Sequence, residues 1–150
     1  MSAVEEALLG AARLEADADV LVLGSDSLAL AVRERLGDGW VYVVRREVDE
    51  LESLLAAAHS TGAAGLAYLV GEARVLPLPD GAVAGVLAQD FAAEGIAELA
   101  RVVARGGRVA IAEPDRLAGE AIADALAGAG FTGVTLADAG DDVVVSATRA

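Results

Sequence analysis

This 150-residue sequence predicts an α/β fold: a three-layer sandwich around a mostly parallel seven-stranded sheet that ends in an antiparallel hairpin. Three observations lead there. Short, uninterrupted apolar runs recur along the chain, as in strands covered on both faces. Segments of helical periodicity alternate with the first of these runs, which calls for parallel pairing and right-handed crossovers. The last two runs have only the polar turn Asp138–Asp141 between them, a hairpin signal.

Taken in order, 3–15 reads as an amphipathic helix with Val4, Ala7, Leu8 and Ala11 on one side. Asp19–Gly24 is the first central strand. Ser25-Asp26-Ser27 offers helix-capping side chains, and Leu28–Leu36 is the helix they start. Gly37-Asp38-Gly39 is a turn, Trp40–Val44 the second strand, and Glu47–His59 a helix ended by Thr61-Gly62. Leu66–Val70 is the third strand. A loop over 71–83 follows, where a helix would ordinarily be expected between two parallel strands.

After the turn Pro79-Asp80-Gly81 comes the strand Ala84–Ala88. Ala93–Ala104 has helical spacing, with Ile96, Leu99, Ala100 and Val103 on one face, and Gly106-Gly107 is expected to stop it. Val109–Ala112 is the fifth strand, closed by Pro114. Arg116–Ala129 is the last helix, and Phe131–Ala137 and Asp142–Thr148 form the hairpin.

Composition narrows the function. The chain is long enough for one domain, 1–150, with a sizeable core. It has no cysteine and a single histidine, His59, so neither a disulfide framework nor a thiolate or His-rich metal site is expected. A net charge of −13, with arginine as the only basic residue besides His59, argues against nucleic acid. No apolar run reaches membrane-spanning length, and Glu5 and Glu6 stand where a signal peptide carries positive charge. A cytoplasmic, acidic protein is expected.

The stretch 72–114 carries a resemblance. Glu72, the run Leu76-Pro77-Leu78-Pro79-Asp80-Gly81, the segment Arg101-Val102-Val103-Ala104-Arg105-Gly106-Gly107-Arg108 and Glu113-Pro114 stand in the order and spacing found in class I S-adenosylmethionine-dependent methyltransferases of the small-molecule type. Ala129-Gly130-Phe131 before the hairpin is similar to that family as well. The resemblance implies the Rossmann-like methyltransferase fold, with S-adenosylmethionine as cofactor and a small-molecule substrate. By that resemblance Gly24, Glu72, Ala73 and Gln89 are the cofactor contacts, Glu72 meeting the adenine amino group. Asp90 lies near the transferred methyl as a candidate base.

Two departures stand against it. The family's first loop is glycine-rich; here the turn reads Val22-Leu23-Gly24-Ser25-Asp26-Ser27-Leu28, so only Gly24 is kept. Asp26 is expected to cap the helix amides and repel an incoming carboxylate, and Leu28 to add bulk. The acid that holds the ribose hydroxyls at the end of the second strand is replaced by Arg45, which has donors only. A phosphate could meet Arg45 instead, but the dinucleotide glycine fingerprint is absent. The alternative function is therefore a catalytically inactive module of the same fold, whose partner is another protein or a second copy of the chain. Both readings remain open on the sequence.

Overall fold

A computed structural model describes residues 1–150. The elements follow the expected order: α1 (Ala3–Ala12), β1 (Val20–Leu23), α2 (Asp26–Arg35), β2 (Val41–Arg45), α3 (Asp49–Thr61), β3 (Leu66–Val70), β4 (Val83–Gln89), α4 (Ile96–Val102), β5 (Val103–Glu113), α5 (Arg116–Gly128), β6 (Phe131–Ala139) and β7 (Asp142–Arg149). The seven strands form one sheet in the order β3-β2-β1-β4-β5-β7-β6. β1 to β5 are parallel, and β7 runs antiparallel to both β5 and β6. The chain winds outward from β1 to β3, then returns to place β4 on the other side of β1.

Strand alternation divides the core into two layers. One layer packs α1, α2 and α3 through Leu8, Leu9, Leu28, Val32 and Leu54 against Val20, Val22, Val43 and Leu87. The other packs α4 and α5 through Ile96, Leu99, Ile122 and Leu126 against Val86, Ala88, Val109 and Ile111. No helix lies between β3 and β4. The 71–82 loop instead lays Leu76 against the second layer.

That loop is held by α4. Arg101 donates to the carbonyls of Leu76 and Leu78 and pairs with Asp80 and Glu98. Glu98 also accepts from the Leu76 amide at 2.8 Å. The Arg101 and Leu-Pro-x-Pro-Asp-Gly motifs thus find each other across the domain, and what they do is structural.

The helix expected over 93–104 is shorter. A 3-10 turn at Ala93–Gly95 precedes α4, and α4 ends at Val102. Val103 is buried and already pairs with Val83, so burial of its side chain draws the backbone into the strand. Gly106-Gly107 therefore do not cap a helix. They sit in a bulge of β5, where the pairing with β4 slips between Val103 and Arg108. Gly106 has φ +82°, and a Cβ on Gly107 would lie 2.8 Å from the Ala84 carbonyl oxygen.

Candidate functional site

In an open α/β sheet, ligands bind beyond the carboxyl ends of the strands where the winding direction reverses. Here that point lies between β1 and β4. Gly24 follows β1, Arg45 ends β2, Glu72 lies just past β3, Gln89 ends β4 and Glu113 ends β5.

The turn after β1 is tight. Ser25 caps α2, its hydroxyl accepting from the Leu28 amide at 3.1 Å. The Ser25 amide donates to Gln89 Oε1 at 2.7 Å. A Cβ on Gly24 would stand 2.5 Å from that same oxygen and 2.9 Å from Leu28 Cδ2. Gly24 is thus required by close approach, and its near neighbours are the chain's own Gln89 and Leu28.

Asp26 does not cap the helix, contrary to expectation. Its carboxylate turns toward β2, where Oδ1 accepts from Arg45 at 3.3 Å and Oδ2 from the Ser53 hydroxyl of α3. The reason is competition: Ser25 already satisfies the amide, while Arg45, with a side chain only 12% exposed, has a charge that needs a partner. Leu28 is not in the mouth of the site either. It is fully buried beneath the turn, in the layer of α1 and α2.

Glu72 and Ala73 come together in a cleft of about 350 Å³, bounded also by Arg46, Arg74, Ala92 and Gly95. Glu72 is exposed and pairs loosely with Arg46 at 3.8 Å. Nothing buried competes for its carboxylate.

Asp90 lies elsewhere. Gln89 points to the α1–α2 layer, toward Ser25. Asp90, the next residue, adopts a left-handed backbone with φ +54°, while its amide donates to the Ala112 carbonyl at 2.9 Å. A non-glycine residue in this region is uncommon and is held by its surroundings. Asp90, Phe91 and Ala93 then face a second cleft, of about 390 Å³, against Glu113, Pro114 and Ile122. Ala92 borders both clefts. The five expected site residues therefore fall into three neighbouring places: Gly24 with Gln89, Glu72 with Ala73, and Asp90 across the Ala92 ridge.

Glu113 is the residue that sequence reasoning undervalued, as half of the Glu113-Pro114 match. It is only 4% exposed. Burial first, then the charges of Asp90 and Asp115, raise its carboxyl against the partial offset of the Phe91 amide, to a pKa of about 7. The signal was available in outline: one acid closes an otherwise apolar run, Val109-Ala110-Ile111-Ala112.

The larger hollows, of about 810 and 610 Å³, lie at the opposite end of the sheet. In the first, Arg33 is already occupied by the carbonyls of Leu36, Gly37, Gly39 and Gly65. No group of histidine, cysteine or acidic side chains is arranged to hold a metal, and no helix is long and apolar enough to cross a membrane.

No protein-family model matches the chain, and no curated protein matches it in sequence. Solved structures do. One is a S-adenosylmethionine-dependent methyltransferase from Aquifex aeolicus, 18% identical over 97% of this chain and 89% of that one, with a TM-score of 0.84. A predicted O-methyltransferase from Agrobacterium tumefaciens is 20% identical over 99% of this chain and 81% of its own, with a TM-score of 0.80. Geranyl diphosphate C-methyltransferase from Streptomyces coelicolor, solved with S-adenosyl-L-homocysteine, is 13% identical over 97% of this chain and 79% of its own, with a TM-score of 0.79. With its strand order, its antiparallel final strands and these neighbours, the chain has the Rossmann-like fold of class I S-adenosylmethionine-dependent methyltransferases.

Proposed function

We propose that the chain binds S-adenosylmethionine and transfers its methyl group to a small molecule. The observation that carries this reading is the Asp26–Arg45 pair. In the resembled family the ribose hydroxyls are held by an acid at the end of the second strand. Here that residue is Arg45, and Arg45 draws the Asp26 carboxylate across from the start of α2. On this reading the acid lost from the end of β2 is replaced by Asp26, drawn to it from the start of α2. Asp26 keeps acceptor capacity, since a carboxylate has about four lone-pair sites and two are used.

The remaining residues fit the cofactor in part. Glu72, held only by a long, exposed contact with Arg46, offers an acceptor for an amino group, and Ala73 lines the same cleft. Gly24 lets backbone approach closely at the turn. Gln89 holds the Ser25 amide, so a ligand reaching that amide must displace the Gln89 side chain. When bound, the cofactor supplies a methyl group on a cationic sulfur. The chain's own task is then positioning a nucleophile in line with it, which needs no metal and few groups. Asp90 stands at the edge of the neighbouring cleft for that purpose.

A second reading is favoured by the same contacts. The Gln89–Ser25 and Asp26–Arg45–Ser53 bonds satisfy the turn without any ligand, and no turn residue lines the clefts at the strand ends. On that reading the protein is an inactive module whose strand ends serve a protein partner or a second copy.

Titration of S-adenosylhomocysteine by calorimetry and thermal shift separates the two. At a few hundred times Kd, ligand should add about 3 kcal/mol of stability. Asp26→Ala should weaken binding if Asp26 accepts the ribose hydroxyls. Absence of any heat or shift at millimolar ligand, or tighter binding by the variant, would favour the inactive module.

A further inference from the structure

We propose that the cleft between the β4–α4 connection and α5 is the acceptor-substrate site, that it takes a small amine with an apolar body, and that Glu113 receives the amine's proton. The inference rests on the methyltransferase reading for its chemistry, though the binding it predicts is independent of cofactor.

The sheet register brings the two acids together. Gln89 pairs with Ala112, so Asp90 and Glu113 are the next residues at the carboxyl ends of adjacent parallel strands. Glu113 continues the side of β5 that carries Val109 and Ile111, toward α4 and α5. Its cleft is walled by Phe91, Pro114, Ala118 and Ile122. The result is an apolar hollow of about 390 Å³ with one carboxyl recessed in it and another at its edge.

Glu113 is more than nine-tenths buried, yet none of the chain's ion pairs includes it and no side chain hydrogen-bonds to it. Only the Phe91 amide approaches it. The charged groups that act on it, Asp90 from the β4–α4 connection and Asp115 from the cap of α5, are both acidic. Burying a carboxylate this way is unfavourable without a cation beside it. An ammonium group supplies that cation, and the apolar walls take the rest of a small amine. A carboxylate substrate would be repelled.

The proton balance follows. An ammonium nitrogen has no lone pair and cannot be methylated. When its N–H bond breaks, the electron pair stays on nitrogen and the proton passes to a Glu113 carboxylate oxygen. Burial raises the proton affinity of Glu113 above that of an ordinary carboxylate, so it takes that proton more readily than an exposed acid does.

The test uses phenethylamine against its neutral isostere 2-phenylethanol, titrated into the intact protein by calorimetry without cofactor. At about pH 8, where Glu113 is ionised, the amine should bind roughly tenfold more tightly or better. That preference should shrink at about pH 5.5 and vanish in Glu113→Gln, with 2-phenylethanol unaffected. If Glu113→Gln does not fold, Ala118→Trp fills the same cleft from its partly exposed side and should abolish binding of both compounds. Equal binding of amine and alcohol, or an amine preference that survives Glu113→Gln or Ala118→Trp, overturns the proposal. Amine binding without S-adenosylhomocysteine binding would leave this site standing and remove methyl transfer. S-adenosylhomocysteine binding without amine preference would do the reverse.

Discussion

The two halves of this domain use their charged residues differently. In the second half, Arg101, Glu98 and Asp80 hold the loop before β4 against α4. Glu98 is kept below the ordinary carboxylate range, first by Arg101 and then by the Leu76 amide. In the first half, Asp26, Arg45 and Ser53 tie together strand and helix ends that face the ligand side. One cluster closes a structural gap left by a missing helix; the other joins the end of β2 to the starts of α2 and α3. The matching Leu-Pro-x-Pro-Asp-Gly and Arg101 motifs therefore hold the fold, whereas the matching Glu72 and Glu113 line clefts at the strand ends, beside the departures at Asp26 and Arg45.

The largest expected effects test whether the halves share one core. Ile111→Ala beneath α4 and α5, and Leu28→Ala beneath α1, should each cost about 2–5 kcal/mol in denaturant unfolding. Both side chains are fully buried, in opposite layers. A negligible loss for Leu28→Ala would mean that the turn does not rest on it.

Next in size is the contrast between the acids. Glu98→Ala leaves the amide of buried Leu76 without its acceptor and should cost about 1–3 kcal/mol. Asp26→Ala removes a partner of the mostly buried Arg45, whose guanidinium keeps the Val44 carbonyl, and should cost about 1 kcal/mol, with its larger effect in ligand binding. Equal losses in thermal unfolding would erase the distinction between the halves.

A smaller effect is expected at the turn. Gly24→Ala drives a methyl group into Gln89 and Leu28 and should cost on the order of 1 kcal/mol, at the low end for overpacking because the Gln89 amide can swing away. Gln89→Ala in the same chain should recover part of it. No recovery would place the strain on Leu28.

The smallest is a pH slope. Glu113 has a folded pKa of about 7, above its unfolded value. The unfolded chain then binds fewer protons than the native one between the ordinary carboxylate range and about pH 7. Its contribution to stability is present below that window and falls as pH rises through it. Glu113→Gln should flatten this part of the melting-temperature profile, and an unchanged slope would assign it to another group.

Much of the architecture was legible from residues alone. Continuous apolar runs identified central strands, and the polar turn at Asp138–Asp141 identified the hairpin. Both signals are local, because strand alternation and turn chemistry act over a few residues. The Gly106-Gly107 pair was misleading for the same reason. Glycine suits a helix end and a bulge equally, and the choice was made by Val103 entering the core opposite Val83. At the candidate site the residue types were legible, and their company was not.

The chain's sequence by itself determined the layers, the strand count and the acidic character of the molecule, since these follow from composition and short-range periodicity. Tertiary structure decided the rest: that Asp26 turns to Arg45, that Gln89 and Asp90 part to different places, and that Glu113 stands beside Asp90. Each is a choice among partners far apart in the chain. Such choices depend on which charges are buried together and which strands lie side by side, and neither is written in any local stretch.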